Sequence, residues 1–445
     1  VRLHYHLVAQ IIVALREVFV EGRYADRVIE KTFKERPKWG ARDRKLFAES
    51  VYDVVRWWRW YWHLAGFNDK TLADTAGMTD RQLWAVWAAY WISQGNEGPG
   101  FDETKGVKVD SVLERMEAKV PPAVRASLPD WLEELGTAEL GEAWKDTRKA
   151  LNEQAPVFLR ANLLRATAEE VIAALKEEEI EAVPIKGLDG AMKLRERKQV
   201  FSSRAFKEGL FEVQDAGSQK IAPLLQVEPG MRVADTCAGG GGKTLHLAAL
   251  MANKGRLLAM DVHQWKLDEL RKRARRAKVD CIETRLIEGS KTLKRLAGAF
   301  DRVLLDVPCS GLGVVRRNPD AKWKLSVEEI QRLTEVQAEI LEGHAKLVRP
   351  GGKLVYATCS ILPAENERQV QKFLATHPGK WVMEEELHIR PGQSPGSDGF
   401  YAARLARAVD NLGDDSAAEP VRNQTSDADA ATASDAAENG DGDGE

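Results

Sequence analysis

Cysteine is scarce in this chain. Only four occur in 445 residues, Cys237, Cys281, Cys309 and Cys359, and none forms a CxxC pair. That argues against a disulfide framework or a zinc cluster, so no metal is expected and a reducing cytoplasm fits. Long apolar runs are missing as well. No stretch approaches the roughly 20 residues needed to cross a bilayer, so no membrane partner is expected. The first residues carry charges and histidines and lack a small-residue cleavage site, so no signal peptide is expected. A strong net charge of either sign is absent too, the total being −3. The balance is uneven, however. Residues 410–445 hold eleven acidic side chains and one basic one, Arg422, which leaves +7 on the remainder. A moderately basic body suits an anionic partner.

What is present suggests two or three domains, since single cores rarely exceed about 250 residues. Residues 1–145 read as helical. Leu7, Ile11, Ala14, Leu15, Val18 and Phe19 recur at helical spacing, as do Leu46, Phe47, Ser50, Val51 and Val54. Ten of the thirteen tryptophans fall here. Trp84, Trp87 and Trp91 lie at i, i+3, i+7, so one helix face should bury them as core. Residues 150–211 suggest a small α+β, RRM-like module, with strands at 157–160 and 182–185 around a helix at 168–178. Such modules often bind RNA. From 212 to 408 short apolar strands (232–235, 256–261, 282–287, 301–306, 353–357) alternate with helices. This βαβ pattern predicts an α/β fold with a mostly parallel, doubly wound sheet. Residues 409–445 are Asp, Ala, Gly and Ser without apolar periodicity and should be disordered.

The segment Asp235-Thr-Cys-Ala-Gly-Gly-Gly-Gly-Lys-Thr244 sits where a strand ends and a helix begins. Glycines there let the backbone approach a ligand, and the helix N-terminus favours electron-rich groups. A P-loop would need glycine at position 237, which is Cys237, and no frame of the loop satisfies GxGxxG. A loop for S-adenosylmethionine (SAM) remains. Asp261 ends the following strand, where a carboxylate can accept hydrogen bonds from ribose hydroxyls.

Two cysteines follow apolar strands, in Asp306-Val-Pro-Cys309-Ser-Gly-Leu-Gly313 and in Ala357-Thr-Cys359-Ser360. Ligands of doubly wound folds bind beyond the carboxyl ends of the strands, so both thiols are expected at the cofactor site. Cys281, at the start of its strand, reads as packing. A methyltransferase has a use for thiols when the acceptor is cytosine carbon 5, a poor nucleophile. A thiolate adding to carbon 6 makes the ring an enamine that can attack the methyl group. An acidic group near N3 stabilises the adduct, and a base later removes the carbon 5 proton. Asp306 is placed for the acid role. Spacing alone leaves open which thiol attacks.

With Asp215-Ala-Gly-Ser-Gln219, the glycine loop, Asp306-Val-Pro-Cys-Ser310 with Gly311-Leu-Gly-Val-Val-Arg-Arg-Asn-Pro-Asp320, and Tyr356-Ala-Thr-Cys-Ser-Ile-Leu-Pro-Ala-Glu-Asn366, the chain resembles the RsmB-type (Nop/Sun) RNA cytosine-C5 methyltransferases. The resemblance implies a Rossmann-like SAM domain and Cys359 as the nucleophile, with Cys309 promoting release. DNA cytosine methyltransferases use the Pro-Cys cysteine instead, which gives the alternative assignment. It also implies SAM contacts from Cys237, Ala238, Gly239, Gly240, Gly241, Gly242, Lys243, Asp261 and Asp306. Two features depart from the family. Its loop usually reads Cys-Ala-Ala-Pro-Gly-Gly-Lys-Thr, and Ser290 stands where an acidic residue usually meets the adenine amine, which predicts reduced SAM affinity. Upstream, Gly22-Arg-Tyr-Ala-Asp-Arg27, Arg42-Asp-Arg-Lys-Leu-Phe47 and Tyr52-Asp-Val-Val-Arg56 resemble the NusB-like domain of bacterial ribosomal members. That implies 16S ribosomal RNA as substrate, with transfer RNA as the alternative. A decayed RNA-binding assembly factor is the competing function.

Arg316 and Arg317 follow the Pro-Cys motif closely and are expected to touch RNA phosphates. The helix at 266–278 carries Arg271, Lys272, Arg273, Arg275, Arg276 and Lys278; of these Arg271 and Arg275 are the candidate contacts. The target cytosine must leave its stack to meet both a thiol and a methyl donor. A monomer is expected.

Overall fold

The computed structural model describes residues 3–68 and 77–409. The acidic segment expected to be disordered lies outside the described residues from 410 onward.

At the N-terminal end the helices Tyr5–Phe19, Ala25–Glu35, Ala41–Arg56, Trp58–Leu64, Asp80–Ser93 and Val109–Glu117 enclose one apolar core. The helical spacing of Leu7, Ile11, Leu15 and Val18 buries one face, as periodicity predicts. Asp80–Ser93 differs from the one-sided helix expected. Every residue from Leu83 to Ile92 is buried, because this helix runs through the middle of the bundle. Alanines at 85, 88 and 89 let neighbours approach between the tryptophans. Thr79 starts it with a capping box closed by Gln82.

The following helices, Pro122–Arg125, Asp130–Leu140 and Ala143–Ala150, lead out of the bundle. Leu128, Leu132, Trp144 and Leu151 share a core with Leu312, Val315, Ile361 and Leu362, so this stretch buttresses the loops that carry the two site cysteines. The short helix Ala321–Lys324 ties the bundle down from the other side. There buried Lys322 donates to the Arg56 carbonyl at 2.8 Å, and Trp323 Nε1 donates to the Val55 carbonyl at 2.7 Å.

A small antiparallel sheet comes next, from β1 (Phe158–Ala161), β2 (Ala182–Pro184), β3 (Ala191–Leu194) and β4 (Phe211–Val213), in the order β2-β3-β1-β4. The helix Ala168–Lys176 packs against it. The large sheet holds β5 (Arg232–Asp235), β6 (Arg256–Asp261), β7 (Ile282–Leu286), β8 (Phe300–Asp306), β9 (Val348–Thr358), β10 (Trp381–Ile389) and β11 (Phe400–Arg407). Its order is β10-β11-β9-β8-β5-β6-β7, parallel from β9 to β7 and antiparallel at the β10-β11 end. Sequence patterning missed β10 and β11. β10 is an edge strand carrying Glu384, Glu385 and Glu386, charges that keep a sheet edge from pairing with another chain and hide any apolar alternation. Strand order reverses between β5 and β8, so a crevice opens beyond Asp235 and Asp306.

Candidate active site

The glycine loop leaves β5 at Asp235 and enters the helix Gly242–Leu250. Gly241 turns the chain at φ +86°, and a Cβ there would come 2.6 Å from Leu270 Cγ, so a side chain is excluded by strain and by space. Thr244 Oγ1 donates to Asp235 Oδ2 at 2.7 Å, anchoring the helix to the strand it follows. Burial pushes the Asp235 carboxyl up to about 7. Asp261, at the end of β6, accepts from the Gly239 N–H at 3.0 Å and from the His263 N–H at 2.9 Å. Two arginines from outside the loop hold its carbonyls: Arg160 of β1 donates to Gly242 at 2.8 Å and Arg273 to Gly240 at 2.7 Å. Arg273 also pairs with Glu212 of β4 at 2.9 Å, so the small sheet is braced against the loop. Ser290 opens the helix Ser290–Lys294 and is exposed.

β8 and β9 run parallel in register, Asp306 opposite Ala357, so the loops that follow them leave the sheet side by side. This brings Cys309 Sγ and Cys359 Sγ to 3.4 Å. The Gly313 N–H donates to the Cys359 carbonyl at 2.9 Å. A Cβ on Gly313 would lie 2.2 Å from the Gly399 carbonyl oxygen, so the two loops and the start of β11 close only around a glycine. The Cys309 thiol is pushed well above its ordinary range, first by its hydrogen bond with Cys359 and then by burial. Beside the sulfurs, Lys243 Nζ lies 2.6 Å from Asp306 Oδ2 and 5.7 Å from the centre of the Phe400 ring. Burial works against the Lys243 ammonium, but the Asp306 carboxylate outweighs it, with help from Cys359, and the proton is held more tightly than usual.

The structure therefore gathers Cys309, Cys359, Asp306, Lys243 and the glycine loop around one crevice. It corrects the reading of Arg316. That side chain is 1% exposed, and its guanidinium is spent on Asp398 and the Gly396 carbonyl. A buried, paired cation holds loops together and is out of reach of a phosphate. Arg317, 29% exposed, is likewise engaged, by Asp398 and by Asp215 at 2.8 Å. Arg271 and Arg275 stand on the exposed face of the helix Gln264–Ala277, Arg271 pairing with Asp268 at 2.7 Å. Cys281 packs against the core beside β7. Cys237 lies in the loop itself, where burial and then the carboxylates of Asp235, Asp306 and Asp261 raise its thiol.

Sequence reasoning passed over Arg160, Asp398 and Glu365. Glu365, fully buried, accepts hydrogen bonds from Ser310 and Ser360, the residues directly after the two cysteines. Glu365 lies inside a quoted motif, but nothing local distinguishes it from a surface glutamate.

Comparison with known proteins bears on this arrangement. Residues 222–406 match the model of the family described as 16S rRNA methyltransferase RsmB/F, and residues 128–201 match the ferredoxin-like domain of RsmF/B-like methyltransferases. A protein of Synechocystis named "Probable ribosomal RNA small subunit methyltransferase B" is 32% identical over 88% of this chain and 98% of its own length. This chain belongs to the RsmB/F methyltransferase family. Ribosomal RNA small subunit methyltransferase B of Klebsiella pneumoniae is 36% identical over 63% of this chain and 66% of its own. Among solved structures, PH0851 superposes with a TM-score of 0.75 at 26% identity, covering 91% of this chain and 100% of that one. NSun6 from Pyrococcus horikoshii, solved with SFG, shares the fold at TM-score 0.58 and 20% identity, over 63% of this chain and 99% of its own. The RsmB/F assignment accounts for the Rossmann-like domain and for the small sheet that precedes it. Among the described residues no helix is long and apolar enough to cross a membrane, and no cluster of His, Cys, Asp and Glu could hold a metal ion.

Proposed function

We propose that this RsmB/F-family protein methylates carbon 5 of a cytosine in 16S ribosomal RNA, with SAM as methyl donor and Cys359 bonding transiently to carbon 6. The observation that carries this reading is the 3.4 Å contact between Cys309 and Cys359 sulfurs at the mouth of the crevice. Methylation of a nitrogen or a ribose oxygen needs no thiol, and a pair of them at the carboxyl ends of adjacent strands is the equipment for an addition–elimination on a pyrimidine.

The residues present fit SAM. Open space lies where a Cβ on Gly239 would sit, Asp261 keeps lone pairs free beyond the two backbone bonds it accepts, and the helix Gly242–Leu250 presents its N-terminus to the crevice. Cys237, Ala238, the glycines 239–242 and Lys243 would line it, with Asp261 at the ribose and exposed Ser290 towards the adenine. Bound there, SAM supplies an electrophilic methyl group.

The chain's own residues do the rest. The Cys359 thiolate adds to carbon 6, and the ring's electrons move towards carbon 5 and N3. The Lys243–Asp306 ion pair, 2.6 Å across, would supply a hydrogen bond or proton as N3 becomes basic. Carbon 5 takes the methyl group. Cys309, as a thiolate once its proton has passed to solvent, then takes the carbon 5 hydrogen. The Cys359–carbon 6 bond then breaks. Exposed Arg271 and Arg275 would meet RNA phosphates, and the helical domain at 1–145 would help hold the RNA. The protein would act as a monomer in the cytoplasm, where ribosomal RNA is found.

The test is incubation of the protein with labelled SAM and 16S RNA, followed by nucleoside mass spectrometry. The expected product is 5-methylcytidine. Label appearing only in another nucleoside, or only in duplex DNA, would overturn the reading.

A further inference from the structure

The reaction outlined above leaves one buried carboxylate at the cysteine loops without a part. Glu365 sits in the 3₁₀ turn Pro363–Glu365 and is 0% exposed. Its Oε1 accepts from the Ser310 backbone N–H at 2.7 Å and from Gln337 Nε2 at 3.0 Å. Its Oε2 accepts from Ser310 Oγ at 2.5 Å and from the Ser360 hydroxyl. Four donors fill the lone-pair sites of a carboxylate, and none of the four is a cation. Ser310 and Ser360 adjoin Cys309 and Cys359 in the chain, so a single side chain clamps both loops. Gln337 in turn donates to the Pro308 carbonyl at 3.0 Å, fixing the residue just before Cys309.

We propose that Glu365 is the positioning residue of the two-cysteine centre: its clamp keeps the sulfurs in contact, and its negative charge directs their shared proton onto Cys309 so that Cys359 is free to attack. The inference rests on the reading of Cys359 as nucleophile. The argument is geometric first. Of the two loops, that of Cys309 is bound to Glu365 through both backbone and side chain, that of Cys359 through one hydroxyl. The titratable groups facing Cys309 are Cys359, Glu365 and the Tyr356 phenol, and none of these brings positive charge. The ammonium of Lys243 acts instead on Cys359. An anion beside Cys309 and a cation towards Cys359 give two otherwise similar thiols different electrostatic surroundings.

Glu365→Gln tests this with little structural change. The amide oxygen can keep the Ser310 and Gln337 bonds, and the amide nitrogen can donate to the serine hydroxyls, which rotate to accept. The first readout is the pH profile of iodoacetamide alkylation at each cysteine, followed by peptide mass spectrometry on the intact protein without RNA. In Glu365→Gln the Cys309 profile should move about one unit to lower pH, and the preference for Cys359 should shrink about tenfold. The second readout is turnover on 16S RNA, where kcat should fall while KM stays near wild type. Glu365→Asp, which keeps the charge on a shorter arm, should restore part of the preference for Cys359. Unchanged profiles in Glu365→Gln, or equal exposure of both thiols together with a lowered melting temperature, would overturn the proposal. If the wild type forms no 5-methylcytidine, the functional reading fails, while the alkylation profiles still decide the role of Glu365.

Discussion

In the N-terminal bundle, Trp58 stacks on Phe19 at 3.9 Å, Trp62 leans on Phe67 at 4.7 Å, and Trp87 lies over Trp91 at 5.9 Å between ring centres. At the carboxyl edge of the large sheet, Glu365, Ser310, Ser360, Thr358 and Asn366 are just as deeply buried, but they are joined by hydrogen bonds. Among the described residues the bundle even leaves the indole N–H groups of Trp58 and Trp87 without partners. Apolar contact has no direction, so a large buried area outweighs two missing bonds. The cysteine centre cannot work that way. There two sulfur atoms are held at one distance, and only directional bonds do that.

Substitutions can break this contrast, beginning at the cysteines. Cys359→Ala should lower methyl transfer to 16S RNA by at least about a thousandfold and leave no protein–RNA complex on a denaturing gel, with the melting temperature little changed. Cys309→Ala should show the reverse gel result, an accumulated complex, because release stalls after the methyl group has moved. If the complex builds up in Cys359→Ala in place of Cys309→Ala, the two roles are exchanged.

Trp62→Ala should do the opposite kind of damage. Removing a fully buried indole should cost about 3–5 kcal/mol in urea unfolding, by loss of burial and a residual cavity. The protein that remains folded should still methylate, since the bundle contributes no reacting atom.

A smaller effect concerns pH. Asp235 holds its proton up to about 7 in the folded protein, whereas in the unfolded chain it releases it near about 4. Between those values the folded state binds more protons. The stabilisation is complete below about pH 4 and is lost as pH rises through 7. Buried His344, pulled down to about 4 by burial, acts in the opposite sense over the lower part of that window, gaining stability as pH rises. Comparing wild type with Asp235→Asn cancels the histidine. The wild type should lose stability relative to the variant as pH goes from 4.5 to about 8, by up to a few kcal/mol, read from urea midpoints. A constant difference would show that Asp235 ionises normally.

The smallest change is expected on the outer face of the helix Gln264–Ala277. Arg271→Ala and Arg275→Ala should leave stability within about 0.5 kcal/mol. Each should weaken RNA binding modestly and flatten its salt dependence by about 0.7 in log–log slope. An unaltered slope would place the RNA on another surface.

Much of this architecture was legible beforehand. The βαβ alternation yielded the parallel strands of the large sheet, and the turns after β5, β6, β8 and β9 pointed to the loop from Cys237 to Lys243, Asp261, Cys309 and Cys359 as candidate site residues. Those signals are local: a strand period, a glycine loop, a cysteine after an apolar run. Strand β10 escaped because an edge strand rich in glutamate shows no alternation, and β11, flanked by β10 and β9, is buried over most of its length and shows none either. Arg316 misled because it closely follows the Pro-Cys motif in sequence, while its partner, Asp398, is far along the chain.

The amino-acid order alone thus determined the elements and the chemistry available at their ends, since both depend on residues within one turn or one strand of each other. Tertiary structure decided which ends meet. The two sulfurs touch because β8 and β9 are adjacent in the sheet, Arg160 reaches the glycine loop because the small sheet docks there, and Arg316 is a strut because Asp398 is folded beneath it. Each of those outcomes depends on strand order and on packing between distant segments, and no periodicity or motif spacing encodes either.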